Sequence, residues 1–196
     1  MSIADIKHRG LFRVDLLRIV LDLPHKEISE YLIESSKDWE RYTTYHDAKL
    51  NKKVLEGMPG YQDMINDITK ASHEFVKRTK RKPFIDDDDV FISAWVSIYD
   101  EHDQHGSHFH PKSLIAGTYY PQTSSESSAI TLESPWTNFT SHDTIPFEEL
   151  LFDYKPNPGD MLLWPAWLNH RVSPQKKSDT KRIAISFNID YQRYHQ

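Results

Sequence analysis

The sequence contains no cysteine. Disulfides and thiolate metal sites are thereby excluded, and any metal must be held by His, Asp or Glu, ligands that suit iron, manganese or zinc. No stretch reaches the roughly 18 apolar residues that a membrane span requires. A secretory leader pattern is missing too, because Asp5, Lys7, His8 and Arg9 interrupt the apolar residues near the N-terminus. Nor is there a surplus of positive charge. The chain has 24 Lys and Arg against 29 Asp and Glu, a net charge of −5, so a nucleic-acid footprint is not expected. The expectation is a soluble cytoplasmic protein with neither a membrane nor a nucleic-acid partner.

What is present is ordinary for a globular chain. The hydrophobic fraction is 38% and the charged fraction 27%, and 5 Trp, 10 Tyr and 9 Phe argue against disorder. The length of 196 residues suits a single domain, residues 1–196. Its character changes near residue 85. Leu11 to Leu23 reads as an opening strand. Pro24 suits the first turn of a helix, and Ile28, Tyr31, Leu32 and Trp39 recur at helical spacing through Glu27–Arg41. A second helix is predicted from about Tyr61 to Thr79, with Met64, Ile65, Ile68, Phe75 and Val76 on one side. Gly57, Pro59 and Gly60 set it off from what precedes. The basic run Lys77 to Lys82 reads as a solvated C-terminal turn favoured by the helix dipole.

Beyond residue 85 the chain breaks into short strand-like runs: Val90–Tyr99, Ser113–Tyr120, Ala129–Leu132, Met161–Trp164 and Arg182–Ile189. Turn-forming residues separate them, Pro158-Gly159-Asp160 most clearly, and such a series predicts a sandwich or jelly roll. The acidic run Asp86–Asp89 reads as a solvated loop entering the first of these strands. The expected fold is α+β, mainly β. A helical N-terminal layer (about 1–85) packs on a β-sandwich core (about 86–196).

Of the 11 histidines, His102, His105, His108 and His110 fall within nine residues. His108 and His110 are two apart, which on a strand places both imidazoles on one face, able to bind one metal ion. Taken alone, the pair fits a solvated His-rich turn equally well. A further His170 follows the Met161–Trp164 run and a turn. Arg182 then opens the run Arg-Ile-Ala-Ile-Ser-Phe-Asn188. Positions 182, 184, 186 and 188 share one face and carry Arg, Ala, Ser and Asn, while Ile183, Ile185, Phe187 and Ile189 form a core face. A guanidinium among small polar residues suits a bound carboxylate, gripped by two hydrogen bonds. The plainer alternative is a surface strand with Arg182 in a salt bridge.

In this order, His108-x-His110-Pro-x-Ser, Gly117-x-Tyr-Tyr120, Pro158-Gly-Asp-x-Leu-Leu-x-Pro165, His170 and Arg182-Ile-x-Ile-Ser-Phe-Asn188 resemble the iron(II)/2-oxoglutarate dioxygenases. They look like a small bacterial and phage branch of that superfamily, and the likeness covers residues ~90–190. The resemblance implies a double-stranded β-helix, cupin-like in outline, and the cofactors Fe(II) and 2-oxoglutarate. It implies that His108 and His170 are metal ligands. Arg182 would pair with the far carboxylate of 2-oxoglutarate, with Ser186 on the same face. Tyr120 and Tyr99 would line the cosubstrate pocket, and Tyr119 would point into the opposite layer. The departure is His110, because the usual triad is two His and one carboxylate. A three-histidine site of His108, His110 and His170 is therefore expected, or else a second-sphere His110 with Asp100, Asp103 or His105 as the replacement ligand.

The implied reaction is hydroxylation of a small-molecule or peptidyl substrate by molecular oxygen, with release of succinate and CO2. A homodimer is an admissible assembly. Trp95, Trp136, Trp164, Trp167 and Asn188 are candidates for the pocket rim, although Trp164 and Trp167 more often mean core packing. The polar stretches Thr123–Ser128 and Asn138–Thr144 read as loops near the site or, equally, as plain surface loops. Two other classes compete: a cupin-type three-histidine dioxygenase that needs no cosubstrate, and a non-catalytic metal- or ligand-binding sandwich. Arg182 discriminates, since a cupin gives no reason for an inward arginine there.

Overall fold

The computed structural model describes residues 14–38, 52–79, 90–135 and 151–191. The readings attached to Trp39, Arg41, Lys80–Lys82, Asp86–Asp89, Trp136 and Asn138–Thr144 lie outside those residues. The elements run β1 (Leu17–Val20), α1 (His25–Ser35), a 3-10 turn (Ser36–Asp38), α2 (Lys52–Glu56), α3 (Tyr61–Arg78), β2 (Val90–Tyr99) and β3 (His105–His108). They continue through β4 (Ile115–Gln122), β5 (Ile130–Glu133), β6 (Leu151–Tyr154), β7 (Asp160–Pro165), β8 (His170–Val172) and β9 (Arg182–Tyr191).

Helix α3 and strands β2, β4, β5, β7 and β9 fall where hydrophobic spacing places them. The opening strand is shorter than predicted, and α1 gives way to the 3-10 turn after Ser35. Strands β3, β6 and β8 were not anticipated. They have three or four residues each and carry no run of β-branched side chains.

All pairings are antiparallel, in a five-stranded sheet ordered β1-β7-β4-β9-β2 and a four-stranded sheet ordered β3-β8-β5-β6. Because side chains alternate along a strand, the larger sheet feeds two separate cores. Ile115, Tyr119, Met161, Leu163, Ile183, Ile185, Phe187 and Ile189 pack with Ile28 and Leu32 of α1 and with Met64, Ile68 and Phe75 of α3. The intervening Ala116, Tyr120, Leu162, Trp164 and Ala184 pack instead with Ile130, Leu132 and Val172 of the smaller sheet. Each large side chain so buried stabilises the fold by about 1.5–3 kcal/mol. The helical layer thus covers one face of the larger sheet, leaving its other face to build the site.

Three local devices set the geometry. Gly117 lies opposite Phe187 in the β4–β9 register. A Cβ there would overlap the Phe187 ring, so only glycine lets that ring cross β4. The Tyr119 hydroxyl and His25 Nδ1 share a hydrogen bond of 2.6 Å that ties α1 to β4. Burial pushes the Tyr119 phenol up from its ordinary range, which keeps it a donor. Asp160, 1% exposed, ends the Pro-Gly-Asp turn. It accepts from Arg18 Nε at 2.9 Å, the Tyr154 hydroxyl at 2.7 Å and the Asn157 N–H at 2.8 Å. Burial alone would raise its carboxyl; these three donors outweigh burial and hold it below the usual carboxylate range.

Candidate metal centre

His108 ends β3 and His170 begins β8, and the two are cross-strand partners. His110 is not on the strand, contrary to the reading that put both members of the pair on one strand face. It lies two residues beyond β3, where its N–H donates to the Ala166 carbonyl at 2.9 Å. The ring still turns inward. The centroids of His108 and His170 are 4.2 Å apart, those of His110 and His170 are 5.0 Å apart, and those of His108 and His110 are 5.2 Å apart. One ring nitrogen from each of the three lies within 4.8 Å of the others, a grouping that could hold a metal ion.

Each ring has its other nitrogen occupied by an oxygen. His108 Nδ1–H donates to the Gly106 carbonyl at 2.8 Å and His170 Nδ1–H to the Leu168 carbonyl at 2.9 Å. His110 Nδ1 meets Asn188 Oδ1 across the sandwich. A carbonyl can only accept, so it fixes the proton on Nδ1 and leaves the Nε2 lone pair for a cation. Burial, reinforced by the neighbouring His108, pushes the His170 imidazole down to about 3. The ring is therefore neutral at ordinary pH, the protonation state a metal ligand needs.

The alternative ligands go elsewhere. Asp100 pairs with Lys181 at 2.9 Å, and Asp103 accepts the Asp100 N–H at 2.8 Å. His105 stacks on His108 with centroids 4.0 Å apart, but it is not in the converging group. Among the described residues no carboxylate joins the three histidines.

The histidines line one end of a cleft of about 370 Å³, counting its open mouth, and Arg182 lines it too. Arg182 is 2% exposed, yet its Nε and Nη1 have no hydrogen-bond partner among the described residues. The plainer alternative, an exposed strand with a surface salt bridge, is thereby excluded. Its guanidinium sits 4.5 Å from the Tyr99 ring centroid and 5.1 Å from that of Tyr120. Among the described residues the buried Tyr120 hydroxyl also lacks a partner of hydrogen-bond geometry. Burial pushes its phenol up to about 12, so it stays a neutral donor beside the cation. Ser186 and Thr118, cross-strand partners, share a hydrogen bond of 3.2 Å on the same wall. Unsatisfied donors buried in a cleft are costly unless a ligand completes them, and these donors match a carboxylate.

Tyr99, Tyr120, Ser186 and Arg182 are thus brought together with the histidines. Trp95 lines the cleft 5.6 Å from His110, and Trp164 meets His170 edge-on at 4.9 Å. Trp167 is 48% exposed and packs in no core. Thr118 was missed, although alternation along Gly117-Thr-Tyr-Tyr120 puts it on the Tyr120 face. The carbonyls of Gly106 and Leu168 have no sequence signal. Thr123–Ser128 is a turn in which the Ser127 hydroxyl accepts the Ser124 N–H at 2.9 Å, and the Ser128 hydroxyl ties it to the Pro174 carbonyl at 2.7 Å.

Fold and site together define a β-sandwich in which three histidines that could hold a metal ion share a cleft with a buried arginine. Residues 93–188 match the sequence profile of a family described as "Putative 2OG-Fe(II) oxygenase", where 2OG is 2-oxoglutarate. A crystal structure of a Pseudomonas putida prolyl-4-hydroxylase superposes with a TM-score of 0.59 at 9% identity, covering 90% of this chain and 92% of that one. A Trichoplax adhaerens prolyl hydroxylase, solved in complex with a hypoxia inducible factor oxygen degradation domain peptide fragment, gives 0.60 at 11% identity, covering 91% and 84%. A search of curated protein sequences finds no match. The two structural likenesses show a double-stranded β-helix fold. The profile match covers residues 93–188, just under half of the chain, and over that span the chain is similar to the 2OG-Fe(II) oxygenases, a family whose cofactors are Fe(II) and 2-oxoglutarate. The three converging imidazoles and the buried donors around Arg182 fit both.

Proposed function

We propose that the chain is a hydroxylase in which His108, His110 and His170 hold iron(II), while Arg182, Tyr120, Tyr99 and Ser186 hold 2-oxoglutarate. The observation that carries this reading is the pairing, in one cleft, of three converging imidazoles with a buried guanidinium whose Nε and Nη1 have no hydrogen-bond partner among the described residues. Iron(II) and 2-oxoglutarate, when bound, supply oxygen activation: the oxoacid becomes succinate and CO2 as one oxygen atom enters a substrate C–H bond.

The protein's part is positioning. Carbonyl oxygens, of the backbone for His108 and His170 and of the Asn188 side chain for His110, meet Nδ1 of each ring, so in the neutral ring Nε2 is the nitrogen left for a cation. Arg182 grips the far carboxylate of the cosubstrate, and the Tyr120 hydroxyl supplies a further donor to it. The Tyr99 and Tyr120 rings shelter the guanidinium from water, which strengthens its hold on an anion. A site with no protein carboxylate leaves more positive charge on the metal, and the dianionic cosubstrate offsets it. Substrate approaches past Trp95 and His105, both on the cleft lining. The test is product analysis: succinate forms only when iron(II) and 2-oxoglutarate are both supplied. Succinate formation without added iron in metal-free protein would refute the reading.

A further inference from the structure

Behind the histidines, on the far face of the smaller sheet, lies a polar cluster that the chemistry above does not use. Leu132 faces the core between the sheets, so alternation turns its neighbour Glu133 to the opposite face. There Glu133 Oε2 accepts the Ser107 hydroxyl at 2.7 Å. Its Oε1 lies 3.4 Å from Arg171 Nε, an ion pair without hydrogen-bond alignment. The Glu133 N–H donates to the Asn169 carbonyl at 2.8 Å. Each partner is a chain neighbour of a proposed ligand: Ser107 precedes His108, and Asn169 and Arg171 flank His170.

The location matters because the ladder is weak there. β3 pairs with β8 only at His105↔Val172 and His108↔His170, with an irregularity between them. That places three residue steps on β3 against two on β8, a bulge at Gly106 and Ser107. Gly106 also supplies the carbonyl that orients His108. Nothing within 4 Å would meet a Cβ at Gly106, so that side of the bulge is open. The Glu133 side chain reaches from β5 past β8 to Ser107, inside the bulge.

We infer that Glu133 is a positioning residue for the metal centre: through Ser107 and Arg171 it clamps the strand carrying His108 to the strand carrying His170. The clamp fixes the spacing of two ligands from the side opposite the metal. It also places a carboxylate behind a centre that has none among its ligands. The inference rests on the ligand set proposed above.

The test is the iron(II) affinity of the full-length metal-free protein, measured anaerobically by chelator competition, with thermal unfolding recorded in parallel. Glu133→Ala and Ser107→Ala should each weaken iron binding by about 10- to 100-fold, the range for groups that orient metal ligands. Glu133→Gln keeps an oxygen for the Ser107 hydroxyl and should recover most of the affinity. Ser107→Ala removes only one hydroxyl, and its folding is not at risk. Wild-type affinity in Ser107→Ala and Glu133→Ala overturns the clamp while leaving the ligand set intact. A Glu133→Gln variant as weak as Glu133→Ala at unchanged thermal stability also overturns it. Failure of the wild-type chain to bind iron overturns the ligand set, and the clamp with it.

Discussion

His110 and Asn188 meet side chain to side chain although 78 residues separate them. The contact crosses the sandwich, from the loop after β3 to the inner face of β9. It orients the one histidine that stands where a carboxylate is usual in this superfamily. With Oδ1 accepting from Nδ1, the ring would present Nε2 to a metal ion, as His108 and His170 would.

Asn188→Leu should therefore disturb the metal centre without touching a ligand. Iron(II) affinity is expected to fall by about 10- to 100-fold, with thermal stability changed much less. His110→Ala should reduce iron occupancy further, because it removes a donor rather than its orientation. Iron analysis of anaerobically reconstituted protein checks both. Full occupancy and activity in His110→Ala would refute the three-histidine assignment.

The placement of His110 marks how far sequence reasoning reaches. The alternating faces of β9 were plain, because Ile183, Ile185, Phe187 and Ile189 announce a core and leave Arg182, Ser186 and Asn188 on the other side. The pair His108 and His110 was also plain, but its geometry was not. The two rings converge because the Ala166 carbonyl holds the His110 backbone, not because a strand continues. A contact between chain segments that distant has no local signature. The same reason hid β3, β6 and β8, whose pairing partners decide their conformation more than their own residues do. Trp167 misled in the opposite sense: an aromatic type suggests burial, yet this one tips a turn and faces solvent.

Gly117 offers a test of packing that is independent of chemistry. Gly117→Ala forces a methyl group into the Phe187 ring and against the Leu162 carbonyl. Overpacking of this kind costs about 1–3 kcal/mol, which should appear as a lowered midpoint in thermal or urea unfolding. Pairing it with Phe187→Leu, which frees that space, should reduce the added penalty of Gly117→Ala. Purely additive effects would contradict the proposed overlap.

Asp160 predicts a pH dependence with a definite sign. Its folded-state carboxyl titrates below the ordinary value, held there by Asn157, Tyr154 and Arg18 against the effect of burial. A depressed folded value means the stabilisation is complete above the unfolded-state pKa of about 4 and is lost as pH falls through the folded value. Asp160→Asn should thus destabilise the protein by about 1–3 kcal/mol near neutrality, with the gap from wild type closing in acid. Unfolding midpoints at a series of pH values check this; a gap constant down to pH 3 would contradict it.

Arg182 carries the cosubstrate claim. Arg182→Lys should serve poorly, because an ammonium cannot reproduce a two-pronged grip on a carboxylate. Tyr120→Phe should weaken 2-oxoglutarate binding by about tenfold, equal to one hydrogen bond of roughly 1–1.5 kcal/mol. Its iron affinity should not change. A titration of each iron-loaded variant with 2-oxoglutarate separates the two effects.

The central claim is that one cleft joins a three-histidine iron centre to an arginine-bound 2-oxoacid. Calorimetric titration of 2-oxoglutarate into wild-type and Arg182→Ala protein, each with and without iron(II), tests it most directly. The account predicts tight binding only in iron-loaded wild type, with severe loss when either the metal or the guanidinium is removed. Equal binding by iron-loaded wild type and Arg182→Ala, or none by iron-loaded wild type, would contradict it.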